Sequence, residues 1–197
     1  MLPITEVFFD HEDCEYVGNY HTKFVNPYGP NHWPTIMLDQ SALVNIIRKF
    51  EIKSFLEIGT WEGYTTLCMW LCPTIIKAKS IDMCQEYYHG GSEYHNPEHL
   101  KRYARYFKDI TPVEFQEVDS TKYGAVGDSW DMVLIDGNHN YDYVKRDWEL
   151  AQRIATRIVA FHDYDNGNPG VDRLLEEVVK DRKLFNYKGT AVVYVEV

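Results

Sequence analysis

Ser54-Phe55-Leu56-Glu57-Ile58-Gly59-Thr60-Trp61-Glu62-Gly63-Tyr64-Thr65 is the stretch from which the fold can be read. The apolar run ending at Gly59 has the length of a buried strand. Residues 65–71 have helical character and stop near Pro73. A strand, a glycine turn and a helix in that order place backbone N–H groups at the helix start, and glycine lets a ligand come close to the backbone. A second strand, residues 78–82, ends on Asp82. An acid about 20 residues past such glycines can take both hydroxyls of a ribose.

Further strands are expected at 113–118, 131–136 and 157–161, with helices at 97–109, 141–155 and 171–180 between and after them. Upstream, Leu43, Ile46, Ile47 and Phe50 recur at helical spacing, after a cap at Asp39 or Ser41. Strands alternating with helices predict a mainly parallel sheet covered on both faces. The last two strands, 183–187 and 191–197, are joined by too short a link for a parallel crossover, so they form a hairpin. Residues 1–34 read as irregular, with Pro27, Gly29, Pro30 and Pro34 interleaved with Tyr16, Tyr20, Phe24, Tyr28 and Trp33. They form an aromatic arm or lid, and residues 35–197 form the domain.

A chain of 197 residues suits that single domain. Its net charge of −10 repels phosphate backbones, which argues against nucleic acid. The basic cluster Lys101, Arg102 and Arg105 reads as a solvated helix face. Cys68 and Cys72 are four apart, which is not a zinc-type pair, and read as core thiols. No signal peptide and no membrane span are expected, which points to the cytoplasm.

Two cofactor classes fit the turn: a dinucleotide and S-adenosylmethionine. The loop is not G-x-G-x-x-G, and Glu57 leads it. An acid there suits the amino group and sulfonium of S-adenosylmethionine better than a pyrophosphate. The run Glu57-x-Gly59-x-Trp61-x-Gly63-Tyr64-Thr65 resembles the first motif of class I methyltransferases. It is most similar to the catechol O-methyltransferase-like variant, which has an aromatic residue between the glycines. The resemblance covers roughly residues 40–197. It implies a Rossmann-like, mostly parallel seven-stranded sheet with helices on both faces and an antiparallel C-terminal strand. It implies cofactor contacts from Glu57, Gly59, Thr60, Trp61, Gly63 and Asp136, with Asp82 on the ribose and Met83 beside the adenine. It also implies Asp119 and Ser120 near the adenine amino group, although a helix cap is the other reading of that pair.

Ligands of open α/β sheets lie beyond the carboxyl ends of the strands. The fourth strand of the glycine-turn domain ends at Asp136-Gly137-Asn138-His139, and the fifth at Phe161-His162-Asp163. These ends bring two carboxylates and two imidazoles together, a set that can hold a divalent cation. The same positions resemble those of metal-dependent O-methyltransferases, including the group that modifies sugars. That resemblance implies Asp136, His162 and Asp163 as ligands of Mg2+ or Mn2+, with His162 departing from the family's acid. It also implies His139 as the base that takes the acceptor's proton, with Asp136 beside it at the reaction centre. A cap for the following helix is the other reading of His139.

The expected activity is therefore S-adenosylmethionine-dependent O-methylation of a small-molecule or sugar hydroxyl. A non-catalytic S-adenosylmethionine binder and a nicotinamide-dependent oxidoreductase remain as alternatives. Asn26-Pro27-Tyr28 resembles part of a DNA amino-methyltransferase motif, but it precedes the glycine loop instead of ending the fourth strand. No membrane partner is expected, and a homo-oligomer stays open.

Overall fold

A computed structural model describes residues 4–7, 34–60, 64–70, 72–83, 113–124, 127–178 and 182–197. The strands are β1 (Ile4–Val7), β2 (Ser54–Ile58), β3 (Lys77–Asp82), β4 (Val113–Glu117), β5 (Trp130–Ile135), β6 (Ala155–Phe161), β7 (Leu184–Tyr187) and β8 (Val193–Glu196). The helices are α1 (Pro34–Lys49), α2 (Tyr64–Trp70), α3 (Tyr141–Ile154) and α4 (Pro169–Val178), with a 3-10 turn at Ser120–Lys122.

All the strands join one sheet in the order β1-β7-β8-β6-β5-β2-β3-β4. Pairing is parallel except along β8, which runs antiparallel to β6 and to β7. The seven expected strands, the parallel core and the C-terminal hairpin are all present. The eighth strand is a correction: residues 4–7 are not irregular but pair with β7, Ile4 opposite Leu184. A four-residue edge strand held by backbone hydrogen bonds has no periodicity to announce it. A second correction concerns α1, which starts at Pro34 and not at Asp39 or Ser41. Proline at a first helical position costs no hydrogen bond. The expected helix at 97–109 lies outside the described residues.

Side chains alternate across the strands and so build two cores. Phe55, Met132, Leu134, Ile158 and Ala160 face α1 and α2, where they meet Leu43, Ile46, Ile47 and Met69. Leu56, Val133, Ile135, Val159 and Phe161 face α3 and α4, where they meet Val144, Trp148, Leu174 and Leu175. Trp148 and Phe161 lie with ring centroids 5.6 Å apart. Cys68 and Cys72 are buried in the first of these cores. No helix among the described residues is long and apolar enough to cross a membrane.

The chain runs outward from β2 through β3 to β4, then returns to start β5 on the other side of β2. The carboxyl ends of β2 and β5 therefore flank the point where the strand order reverses, the usual place for a crevice.

Candidate active site

Gly59 and Asp136 close the ends of β2 and β5. The Asp136 N–H donates to the Ile58 carbonyl at 2.8 Å, and the Gly59 N–H to the Ile81 carbonyl at 2.8 Å. Gly59 has φ +95°, and a Cβ there would lie 2.2 Å from the Asp136 carbonyl oxygen. The turn therefore requires glycine on two counts.

A cleft opens at this point, lined among others by Gly59, Ile81, Asp82, Met83, Val118 and Ser120. Asp82 stands at its mouth with its carboxylate fixed. Oδ2 accepts from the Thr60 N–H at 2.8 Å, and Oδ1 from the Met83 N–H at 2.7 Å. A carboxylate so held is an acceptor of the kind a vicinal diol requires.

Glu57 takes a different position. Its carboxyl is buried, and one oxygen, Oε2, accepts from the Ser80 hydroxyl at 2.6 Å and the Thr66 hydroxyl at 2.5 Å. The Thr60 hydroxyl in turn lies 2.6 Å from Ser80 Oγ. Burial lifts Glu57 to about 8, against the pull of those hydrogen bonds. Near neutrality the group is mostly protonated, and it ties β2, β3, α2 and the turn together. Trp61 and Gly63 lie outside the described residues.

Asp119 caps the 3-10 turn, accepting from the Thr121 N–H at 2.9 Å and the Thr121 hydroxyl at 2.7 Å. Ser120 lines the cleft, and its hydroxyl donates to Asp147 on α3 at 2.5 Å.

The second cluster sits where β5 and β6 end. Asp163 has φ +61°, a conformation that short polar side chains tolerate. Its Oδ1 accepts from the Asn166 amide at 2.7 Å, and its Oδ2 faces both histidines. His162 Nδ1 lies 3.0 Å from Asp136 Oδ1 and 3.2 Å from Asp163 Oδ2. His162 Nε2 lies 3.1 Å from Asp39 Oδ2, and Asp39 Oδ1 accepts from the Ala191 N–H at 2.8 Å. Burial pushes the His162 pKa down, but the surrounding carboxylates, Asp136 foremost, hold it well above its ordinary value. Burial pushes Asp163 up, yet His139 and His162 bring it far below the usual carboxylate range.

His139 is positioned by its loop. Asn140 occupies the N-cap position of α3, so His139 is not the cap. Gly170 lets the start of α4 approach: a Cβ there would lie 2.2 Å from the His139 carbonyl oxygen. His139 Nε2 is 2.8 Å from Asp163 Oδ2, yet it has no aligned hydrogen-bond partner among the described residues. The contact still raises the His139 pKa, against burial.

A buried nitrogen close to a carboxylate but off the hydrogen-bond line suits two donors that share a third centre. Asp136, His139 and Asp163 each offer one such atom, all within 4.8 Å of one another. Carboxylates suit magnesium and manganese, while imidazole suits transition metals, so this mixed set fits a divalent transition ion such as Mn2+.

A family model described as a methyltransferase domain matches residues 56–164, more than half of the chain. The chain belongs to this family. The methyltransferase domain so defined contains Gly59, Asp82, Asp136, His139, His162 and Asp163, while α1 with Asp39 and the C-terminal hairpin lie outside it. No curated protein matches the sequence. Among solved structures, a provisionally named caffeoyl-CoA O-methyltransferase from Staphylococcus aureus superposes with TM-score 0.62 at 15% identity, covering 93% of this chain and 92% of that one. A provisionally named O-methyltransferase from Klebsiella pneumoniae gives 0.61 at 15%, covering 95% and 90%. A methyltransferase from Podospora anserina, solved bound to SAH, gives 0.59 at 14%, covering 95% and 88%. At these identities the likeness establishes the fold of the methyltransferase domain.

Sequence reasoning missed three residues of this methyltransferase domain and its surroundings. Asp39 looked like a helix cap and is instead the buried partner of His162. Gly170 followed a proline at a helix start, which signals a boundary but not a close approach. Asp147 lies three residues past Val144 on the buried stripe of α3, where an acid is out of place, and that was its only signal.

Proposed function

We propose that this methyltransferase domain transfers the methyl group of S-adenosylmethionine to a hydroxyl of a small molecule or sugar, assisted by a divalent metal. One observation carries the reading. Gly137 and Asn138 line the cleft, while their neighbours Asp136 and His139 belong to the acid–imidazole cluster. A methyl donor in the cleft is thereby delivered to a group of proton- and cation-binding side chains. The Podospora anserina neighbour bound to SAH, and the O-methyltransferases among the neighbours, support the cofactor and the acceptor class.

Gly59 and the Thr60 N–H shape the turn, and Asp82 takes the ribose hydroxyls. Asp136, His139 and Asp163 would hold the ion, and His162, fixed by Asp39, orients both carboxylates. When bound, a divalent ion lowers the pKa of an acceptor hydroxyl and fixes its direction of approach. The 2.8 Å contact between His139 Nε2 and Asp163 Oδ2 favours a second reading without metal. In it the other ring nitrogen accepts the acceptor's proton, and Asp163 stabilises the imidazolium that results. Rate in both cases comes largely from placing oxygen and methyl in line. In this proposal residues 35–197 make the catalytic domain and residues 1–34 an arm or lid.

The test is transfer of labelled methyl from S-adenosylmethionine to a panel of catechols, phenols and sugars, with Mn2+ and with EDTA. Transfer that EDTA abolishes supports the metal reading. Transfer that survives EDTA but is lost in His139→Ala supports the metal-free base. No transfer to any hydroxyl, with transfer to amines instead, contradicts O-methylation.

A further inference from the structure

Asp39 is buried, 4% exposed, and sits inside α1 beyond its first turn, where no free helix N–H is left to cap. A carboxylate in such a place is costly unless donors meet it. Oδ1 accepts from the Ala191 N–H at 2.8 Å, and Oδ2 lies 3.1 Å from His162 Nε2. The Ala191 carbonyl in turn accepts from the Tyr164 N–H at 3.0 Å. The segment that carries His162 and Asp163 is thus tied to the C-terminal hairpin twice, once directly and once through Asp39.

The consequence lies on the other side of the ring. With Nε2 held by Asp39, Nδ1 faces Asp136 Oδ1 at 3.0 Å and Asp163 Oδ2 at 3.2 Å. Those carboxylates are two of the three groups whose donor atoms lie within 4.8 Å of one another. Two carboxylates at that spacing repel, and a ring nitrogen that bonds to both sets their separation. An imidazole free on its far side could turn about its side-chain bonds and leave the pair, whereas one gripped at Nε2 cannot. Resting on the ion reading above, we infer that Asp39 is a positioning residue of the ion site, acting through His162 to hold Asp136 and Asp163 at ion-binding spacing. α1 lies outside the residues that the family model matches, so this support reaches the methyltransferase domain from beyond it. Asp39 is not among the residues that line the cofactor cleft, so its effect should fall on the ion and spare the cofactor.

The experiment titrates the full chain by calorimetry with Mn2+ and, separately and without the ion, with S-adenosylhomocysteine. Asp39→Asn keeps an acceptor for the Ala191 N–H but turns an amide NH2 toward His162 Nε2 in place of an oxygen. It is expected to weaken Mn2+ at least about tenfold, the usual scale for a group behind a metal ligand, and to leave S-adenosylhomocysteine within about twofold. His162→Gln should lose a similar factor, and adding Asp39→Asn to it should cost no more than about twofold further. Unchanged Mn2+ affinity in Asp39→Asn overturns the inference, and so does an equal loss from Asp39→Asn in the His162→Gln background. A parallel loss of ion and cofactor makes Asp39 a structural support only and overturns it too. Should Asp39→Asn fail to fold, His162→Gln decides, since full Mn2+ affinity there removes the route through the ring. If wild type binds no Mn2+, the ion reading itself falls, and this inference with it.

Discussion

Gly59 and Asp136 touch backbone to backbone, with no room for a single methyl group between them. The Cβ that any other residue would carry at position 59 would stand 2.2 Å from the Asp136 carbonyl oxygen. The contact joins the two strands between which the chain reverses direction, so it fixes both the cofactor turn and the first residue of the acid cluster.

Gly59→Ala is therefore expected to damage stability and binding together. Forcing a side chain into the left-handed region and against a carbonyl costs roughly 2 kcal/mol or more. Thermal unfolding should shift down by about 4–8 °C, and affinity for S-adenosylhomocysteine should fall more than about tenfold. Calorimetry and a melting curve check both.

Asp82→Ala should separate those effects. The Thr60 and Met83 N–H groups lose their acceptor at part-buried positions. Stability should change by about 1 kcal/mol, whereas S-adenosylhomocysteine should bind roughly 10–100-fold more weakly for want of the ribose contacts. An unchanged affinity would remove Asp82 from the cofactor site.

Glu57 predicts a pH dependence of stability. Its pKa rises from the ordinary 4.5 to about 8 on burial. The folded chain thus keeps a proton that the unfolded chain has released. That stabilisation is full below 4.5 and is lost as pH rises through 8. Glu57→Gln keeps an acceptor for Ser80 and Thr66 and removes the titration. Wild-type stability should fall between about pH 5 and 9 more steeply than that of the variant, as denaturant midpoints would record.

The cluster at the ends of β5 and β6 predicts an ion effect. Mn2+ should raise the melting temperature of wild type, because a ligand that binds only the folded chain stabilises it. Asp163→Asn accommodates the φ of +61° and should abolish the shift. Persistence of the full shift in that variant would place the ion elsewhere.

The architecture was legible because strands and helices alternate with clear periods, and because Gly59, Asp82 and Asp136 stand at strand ends, where backbone geometry dictates position. What escaped depends on distant partners. The β1 residues announce nothing until β7 lies beside them. Asp39 looked like a helix start because its true environment, His162 and the Ala191 N–H, comes from the far end of the chain. The Ser80 and Thr66 hydroxyls that meet the Glu57 carboxyl could not be foreseen either, since only packing brings them together. His162 was expected as a metal ligand and His139 as the base, but the ligand-sized group is Asp136, His139 and Asp163, and both ring nitrogens of His162 are engaged by Asp136, Asp163 and Asp39.

The most direct test of the central claim is calorimetric titration of the wild-type chain with S-adenosylhomocysteine. One-to-one binding at micromolar affinity or tighter, weakened by Gly59→Ala and Asp82→Ala, is the predicted result. No detectable binding, or binding indifferent to both substitutions, would contradict the assignment of the cleft to this cofactor.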